Sequence, residues 1–253
     1  MRVLRYLAAL AFIGLAWQAG SELLGPRVLP APALVLKALA HEMKTAEFWG
    51  HVRASFGRAG GGVLIGFLLA WPLGIFLGAA RRIDAWLSPL IFLTYPIPKI
   101  LFLPILLVLL GLGEAPKIVL IILTVGYQVL VVTRDSVRSL DSSYLHSFQA
   151  IVPQGQGLMG RSLSLTRHLL LPASFPAAVS SLRIAAGTAV AVLFMAESFV
   201  TDRGLGFMIM DAWGGMDLPR MFSGIMAMSL LGFLFYEGCN ILEHFFCRWT
   251  KAR

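Results

Sequence analysis

Charge is scarce in this chain. Only 13% of its 253 residues are Asp, Glu, Lys or Arg, whereas 58% are apolar. With a mean hydropathy of +0.79, that balance excludes an ordinary soluble domain, in which about 25% of residues are charged. Acidic residues are the scarcer sign, 13 against 21 basic, for a net charge of +8. The basic residues are scattered between apolar runs, so the excess marks no nucleic-acid surface. Cysteine is nearly absent. Cys239 and Cys247, eight positions apart with no histidine pair, make neither a zinc site nor a disulfide framework and read as packing residues near a reducing compartment.

Catalytic patterns are missing too. His41-Glu42-Met43-Lys44-Thr45 opens like a metalloprotease helix, but Thr45 stands where the second histidine must be. The glycine run at 60–66 lacks the lysine and hydroxyl of a phosphate loop, and no G-x-S-x-G nucleophile turn occurs. Paired carboxylates inside apolar runs are lacking as well. These absences point to no enzyme and no cofactor; energy for work would have to come from another chain.

What is present is a set of apolar runs. A span needs roughly 20 predominantly apolar residues, and candidates lie near 5–23, 60–79, 88–110, 117–133, 174–197 and 221–241. About six transmembrane helices are expected, the first a retained anchor rather than a cleaved leader. An N-terminus inside would put Arg2, Arg5, Arg81, Arg82, Arg134, Arg138, Arg161, Arg167, Arg248, Lys251 and Arg253 on the cytoplasmic side, 11 of the 21 basic residues. Both termini are then cytoplasmic. Leu34, Leu36, Leu39, Met43 and Phe48 recur at helical spacing and predict an amphipathic helix outside the bilayer.

The second run pairs Gly62 with Gly66 and Gly74 with Gly78, each four apart and so on one face. Small residues let helix backbones approach closely in lipid, which predicts a helix central to the bundle, with a kink at Pro72. The third run is interrupted by Pro96, Pro98 and Pro104. Broken backbone at membrane depth is tolerated only beside protein or water, a feature of transport pathways. Lys99 sits in this break. Arg183 lies 11 residues after Pro172, roughly 16 Å along a helix starting there. Buried cations are functional candidates. Either the two face one cavity that favours an anionic or strongly polar solute, or each pairs with a carbonyl or carboxylate or snorkels. Glu197 is placed to cap or pair locally near the outer boundary, and Trp213 belongs to a compact outer connection or an aromatic belt.

Between the fourth and fifth runs lies a long polar interval. Leu158, Leu165 and Leu169 follow one helical face and Arg161, Ser164 and His168 another, the pattern of a short amphipathic helix. Pro172 and Pro176 then sit where a new helix would start, predicting a surface lever joined through a proline corner to a spanning helix.

Several stretches in fixed order, LPAPALVLKAL at 29, PIPKILFLPILL at 96, GLGEAPKI at 111, HLLLPASFPAAVSSLRIAAGTA at 168 and AESFVTDRGLGFMI at 196, resemble the membrane subunit of bacterial ABC importers of the nitrate, sulfonate and taurine group. That resemblance implies an all-α, type I importer permease-like fold in the inner membrane. It divides the chain into an N-terminal helix with its external segment (1–59), a permease core (60–243) with a coupling loop at about 138–172, and a cytoplasmic tail (244–253). It also implies two cytoplasmic ATPase subunits, a periplasmic or lipid-anchored binding protein and a second copy of this chain. The family's E-A-A-x-x-x-G motif is degenerate here. Pro153, Gln154 and Gly155 stand at E-A-A and Met159 at the glycine, with Gly160 displaced by one. The ATPase contact implied comprises Gln149, Ala150, Met159, Gly160, Arg161, Leu165, Leu169, Leu171 and Pro172. An ion-coupled transporter and a nontransporting scaffold are the rivals. The first calls for internal repeats and intramembrane acids, and the second needs no proline-broken helix.

Overall fold

A computed structural model describes residues 2–151, 163–199 and 201–247. Helices are the only regular elements among them: α1 (Arg2–Leu24), α2 (Pro32–Glu42), α3 (Ala46–Ala79), α4 (Arg81–Thr94), a 3-10 turn (Lys99–Phe102), α5 (Leu103–Leu110), α6 (Ala115–Arg138) and α7 (Ser142–Ile151). Then come a π-helical turn (Thr166–Leu170), α8 (Leu171–Ser198), α9 (Leu205–Gly214) and α10 (Leu218–Phe246). They form two compact units. One holds Met1–Gly57 with Phe194–Leu231, the other Arg58–Leu193 with Gly232–Arg253.

Four helical stretches are long and apolar enough to cross a bilayer: α3, α6, Leu163–Ser198 and α10. The pair Arg81–Thr94 and Lys99–Leu110, bent by 89°, is a fifth candidate, and Ala8–Leu24 is a shorter apolar helix.

The second unit is organised by the seam between α3 and α6. A methyl added at Gly62 would lie 2.7 Å from Ile121 Cβ, one at Gly66 3.2 Å from the Ile122 carbonyl oxygen, one at Gly74 2.8 Å from the Leu130 oxygen and one at Gly78 2.7 Å from the Arg134 oxygen. All four glycines therefore meet one neighbour, backbone against backbone. Their order matters: as α3 advances from Gly62 to Gly78, its contacts on α6 advance from Ile121 to Arg134, so the two helices run parallel. Antiparallel neighbours could be joined by a short turn, but parallel ones require the chain between them to travel back along the seam, roughly 24 Å for 16 residues. The α4–α5 pair makes that return, which identifies it as a broken span rather than a loop re-entering from one side. The same logic makes α8 antiparallel to α3, because Trp71 meets Ser174 and Phe175 while Ile75 packs with Leu170. The inner part of α10 is antiparallel to α8, with Gly232 beside Val190 and Asn240 bonded to Arg183.

Three local expectations change. Pro104 does not interrupt a helix; it occupies the first turn of α5, where a missing N–H costs nothing. The apolar spacing from Leu34 to Phe48 belongs to two helices, because Thr45 caps the start of α3 by accepting the Phe48 N–H at 3.2 Å. No proline corner exists at Pro172: Leu163–Ser198 is a single helical run, with Pro172 in the first turn of α8 and Pro176 inside it. The π turn explains how. The Leu171 N–H reaches the Thr166 oxygen, five residues back, and this wider turn opens the space that the Pro172 ring would otherwise claim against the preceding turn.

The seam gives a direct test. Gly74→Ala forces a methyl against the Leu130 carbonyl and Thr133, overpacking worth about 1–3 kcal/mol, whereas Gly61→Ala enters open space. In detergent, G74A should melt several degrees below the parent and G61A should not. Equal melting temperatures would remove the seam from its organising place.

Candidate transport and coupling site

The sequence marks residues for a pathway and for coupling, and the second unit holds most of them. At the elbow, Pro96 and Pro98 lie in the exposed break between Thr94 and the 3-10 turn. Lys99 donates to the carbonyls of Thr94 (2.6 Å) and Ile97 (3.0 Å), with its ammonium 4.2 Å from the centre of the Tyr127 ring. Arg183, half-buried on α8, donates to Asn240 Oδ1 at 2.8 Å and pairs with Glu243 at 3.1 Å. Lys99 and Arg183 each have polar partners within reach, and those partners are different.

The coupling residues divide. Gln149 and Ala150 end α7; Met159, Gly160 and Arg161, with Leu158, lie outside the described residues. Leu165, Leu169 and Leu171 fall on the run that enters α8, followed by Pro172. The anchor is Leu170, which sequence spacing passed over: it is buried against Ile75 and Val137, with Trp71, Leu140, Leu165 and Leu171 around it. Arg167 and His168 point outward. This strip is thus fixed by its apolar side to α3 and α6 and presents Arg167 and His168 on its outward side.

Two ion-pair groups escaped the sequence reading. Arg134 and Asp84 are both 1% exposed. Arg134 donates to Asp84 through Nε and Nη2 and also to Ser88 Oγ, while Arg138 adds a second guanidinium to Asp84. Arg134 is buried as the clamp between α4 and the end of α6. Its signal was the spacing Asp84–Ser88 opposite Arg134–Arg138, each one helical turn. At the other end of the seam, Glu114 accepts from Arg58 Nε and from Nη2 at 2.6 Å, with Lys117 3.9 Å away. Arg58–Glu114 ties α3 to the start of α6, and Asp84–Arg134 ties α4 to its end.

The first unit contains a buried carboxylate. Glu197, 1% exposed, accepts from Ser55 Oγ at 2.8 Å and from the Gly206 N–H at 2.8 Å, at the amino end of α9. The Leu205 N–H donates to Ser55 Oγ and the Gly204 N–H to His51 Nδ1. Gly204 has φ +132°, and a Cβ there or at Gly206 would overlap Glu197. The sequence spacing Glu197…Gly204-Leu205-Gly206 therefore has a physical cause: a carboxylate needs bare backbone to reach the exposed N–H groups of a helix start. Nearby, Arg220 gathers Glu42, Glu47 and Asp211, each at 3.3 Å.

Among the described residues no group of His, Cys, Asp and Glu is disposed to hold a metal ion. A set of apolar spans, one of them broken at two prolines, describes a multi-pass membrane protein, and its family makes it a permease of the ABC transporter class. The family model described as binding-protein-dependent transport system inner membrane component matches residues 62–244, and the chain belongs to that family. It is 28% identical over 233 residues to the taurine transport system permease protein TauC of Escherichia coli (strain K12), covering 90% of this chain and 82% of that protein. It is 26% identical over 243 residues to SsuC of Bacillus subtilis (strain 168), named for aliphatic sulfonates transport, covering 93% and 84%. Among solved structures, a chain of the MetNI methionine ABC transporter in inward-facing conformations matches with a TM-score of 0.60 at 17% identity, covering 78% of this chain and 94% of that one. At that identity the likeness is one of fold.

Removing one member of a buried ion pair leaves the other charge stranded, at about 3–5 kcal/mol. Arg134→Leu should therefore lower the melting temperature sharply, and Asp84→Leu/Arg134→Leu should recover most of the loss; a double variant as unstable as the single would contradict the clamp. Glu114 generates a pH prediction. The hydrogen bond from Arg58 holds its carboxyl below the usual range against the opposing effect of burial, and the charges of Arg58 and Lys117 act in the same direction as that bond. A lowered folded value means stabilisation that is present above the ordinary 4.5 and lost as pH falls through the lowered value. Melting curves taken downward from pH 7 should show wild type losing more stability below that point than Glu114→Gln; identical acid limbs would exclude the effect.

Proposed function

We infer that this chain is the membrane subunit of an ATP-driven importer in the bacterial inner membrane, with both termini cytoplasmic. Its solute is small and either anionic or strongly polar, of the sulfonate, nitrate, taurine or vitamin-precursor class. The names of TauC and SsuC support the sulfonate end of that range. A periplasmic or lipid-anchored binding protein delivers the solute, two cytoplasmic ATPase subunits supply hydrolysis, and a second copy of the chain completes the path.

The observation that carries this reading is the helical run Leu163–Ser198. One end presents Arg167 and His168 outward from an apolar anchor, and the same rod continues past Arg183 into the bundle. A push on the strip, received by the contact from Gln149 to Pro172, is thereby transmitted without an intervening joint. The path is bordered by the break at Pro96 and Pro98, with Lys99, and by Arg183. In functional terms residues 1–59 anchor and brace, 60–243 form the permease core with its coupling loop, and 244–253 form a cytoplasmic tail.

Coexpression with a cognate ATPase and binding protein tests the assignment. An ATPase should copurify in mild detergent, and proteoliposomes should take up taurine only with ATP inside the reach of the ATPase and binding protein on the other face. Uptake by this chain alone, driven by an ion gradient, would instead establish the secondary-transport rival.

A further inference from the structure

The end of α4 poses a hydrogen-bonding problem. In an α-helix the carbonyl of residue i accepts from the N–H of residue i+4, yet the donors due to Phe92 and Thr94 would come from Pro96 and Pro98, which have none. Two such losses follow one another at the tip of an apolar helix. Thr94 is nonetheless well supplied: its carbonyl accepts the Ile97 N–H at 3.3 Å and the Lys99 ammonium at 2.6 Å. The same ammonium binds the Ile97 carbonyl and lies over the Tyr127 ring of α6. Tyr127 in turn meets Thr94 Oγ1 at 2.5 Å and donates to the Ile91 carbonyl. Lys99 thus supplies to Thr94 a donor that Pro98 withholds, and Tyr127 of α6 adds one at the Ile91 carbonyl, which already accepts the Tyr95 N–H.

We propose that Lys99 is the positioning residue of the elbow: its ammonium replaces the N–H that Pro98 lacks and, seated on Tyr127, fixes the bend between α4 and α5 against α6. Two of its three donors are spent on carbonyls and its charge rests on an aromatic face, so the solute passes beside a lysine already engaged. This rests on the permease reading for its transport readout alone; the geometry can be measured without it.

The test uses the full chain in nanodiscs, with Cys239→Ala and Cys247→Ala and spin labels at W86C and V108C, positions 87% and 85% exposed on the two arms. Wild type should give one narrow interspin distance. K99M should broaden or shift it, and K99R should restore it. In proteoliposomes carrying the whole complex, K99M should lower the maximal rate of taurine uptake roughly tenfold, the worth of one charge-assisted hydrogen bond in a conformational equilibrium. Its half-saturating concentration should be unchanged, and K99R should recover most of the rate. An unaltered distance in K99M, or a loss confined to half-saturation, would overturn the proposal and make the lysine a solute contact. Should K99M yield no folded protein, K99Q decides: an uncharged donor should keep the elbow distance closer to wild type than to a broadened distribution, and a broadened one counts against the donor role. If the wild-type complex takes up no taurine, the solute reading fails, and the distances alone judge the elbow.

Discussion

The close approach of α3 and α6 governs the second unit. Leucine-on-leucine packing gains little between helices surrounded by hydrocarbon, because lipid offers the same contacts; glycine changes this by allowing main chains to touch. Four glycines in one line, with Arg58–Glu114 at one end of the seam, leave little latitude in register, and Asp84–Arg134 fastens the start of α4 to the far end of α6. Once two consecutive long helices are held parallel, the connection between them must cross the bundle. The bent α4–α5 pair is therefore a consequence of the seam as much as of its prolines.

How much of this was legible depended on whether the signal was local. Glycines four apart and prolines in an apolar run are short-range patterns, and the structure sets Gly62, Gly66, Gly74 and Gly78 on one neighbour and breaks the third span at Pro96 and Pro98. The spans themselves followed from length and composition. Partnerships across the fold were not visible. Arg134 read as one more scattered basic residue because its partner stands 50 positions earlier, and Glu243 had no mark linking it to Arg183. Leu170 was missed for a different reason: the helical period used to find Leu165 and Leu169 does not hold through a π turn.

Prolines illustrate why composition underdetermines geometry. Pro104 and Pro116 sit in first helical turns, Pro72, Pro89 and Pro176 lie inside helices, and Pro96 and Pro98 end one. The residue is the same, but the outcome depends on what else can donate to the carbonyl one turn earlier. Around Thr94 that supply comes from side chains; before Pro172 it comes from a change of helical winding.

That change of winding has a bearing on facing. A turn closed five residues back instead of four accommodates one additional residue, so side chains before Thr166 are rotated by about 100° relative to those an uninterrupted α-helix would present. Within that turn Arg167 and His168 are exposed while Leu170 is buried. Removing a single amino acid between Thr166 and Leu170 would swing Leu163, Ser164 and Leu165 around the rod's axis, leaving the spanning portion where it was.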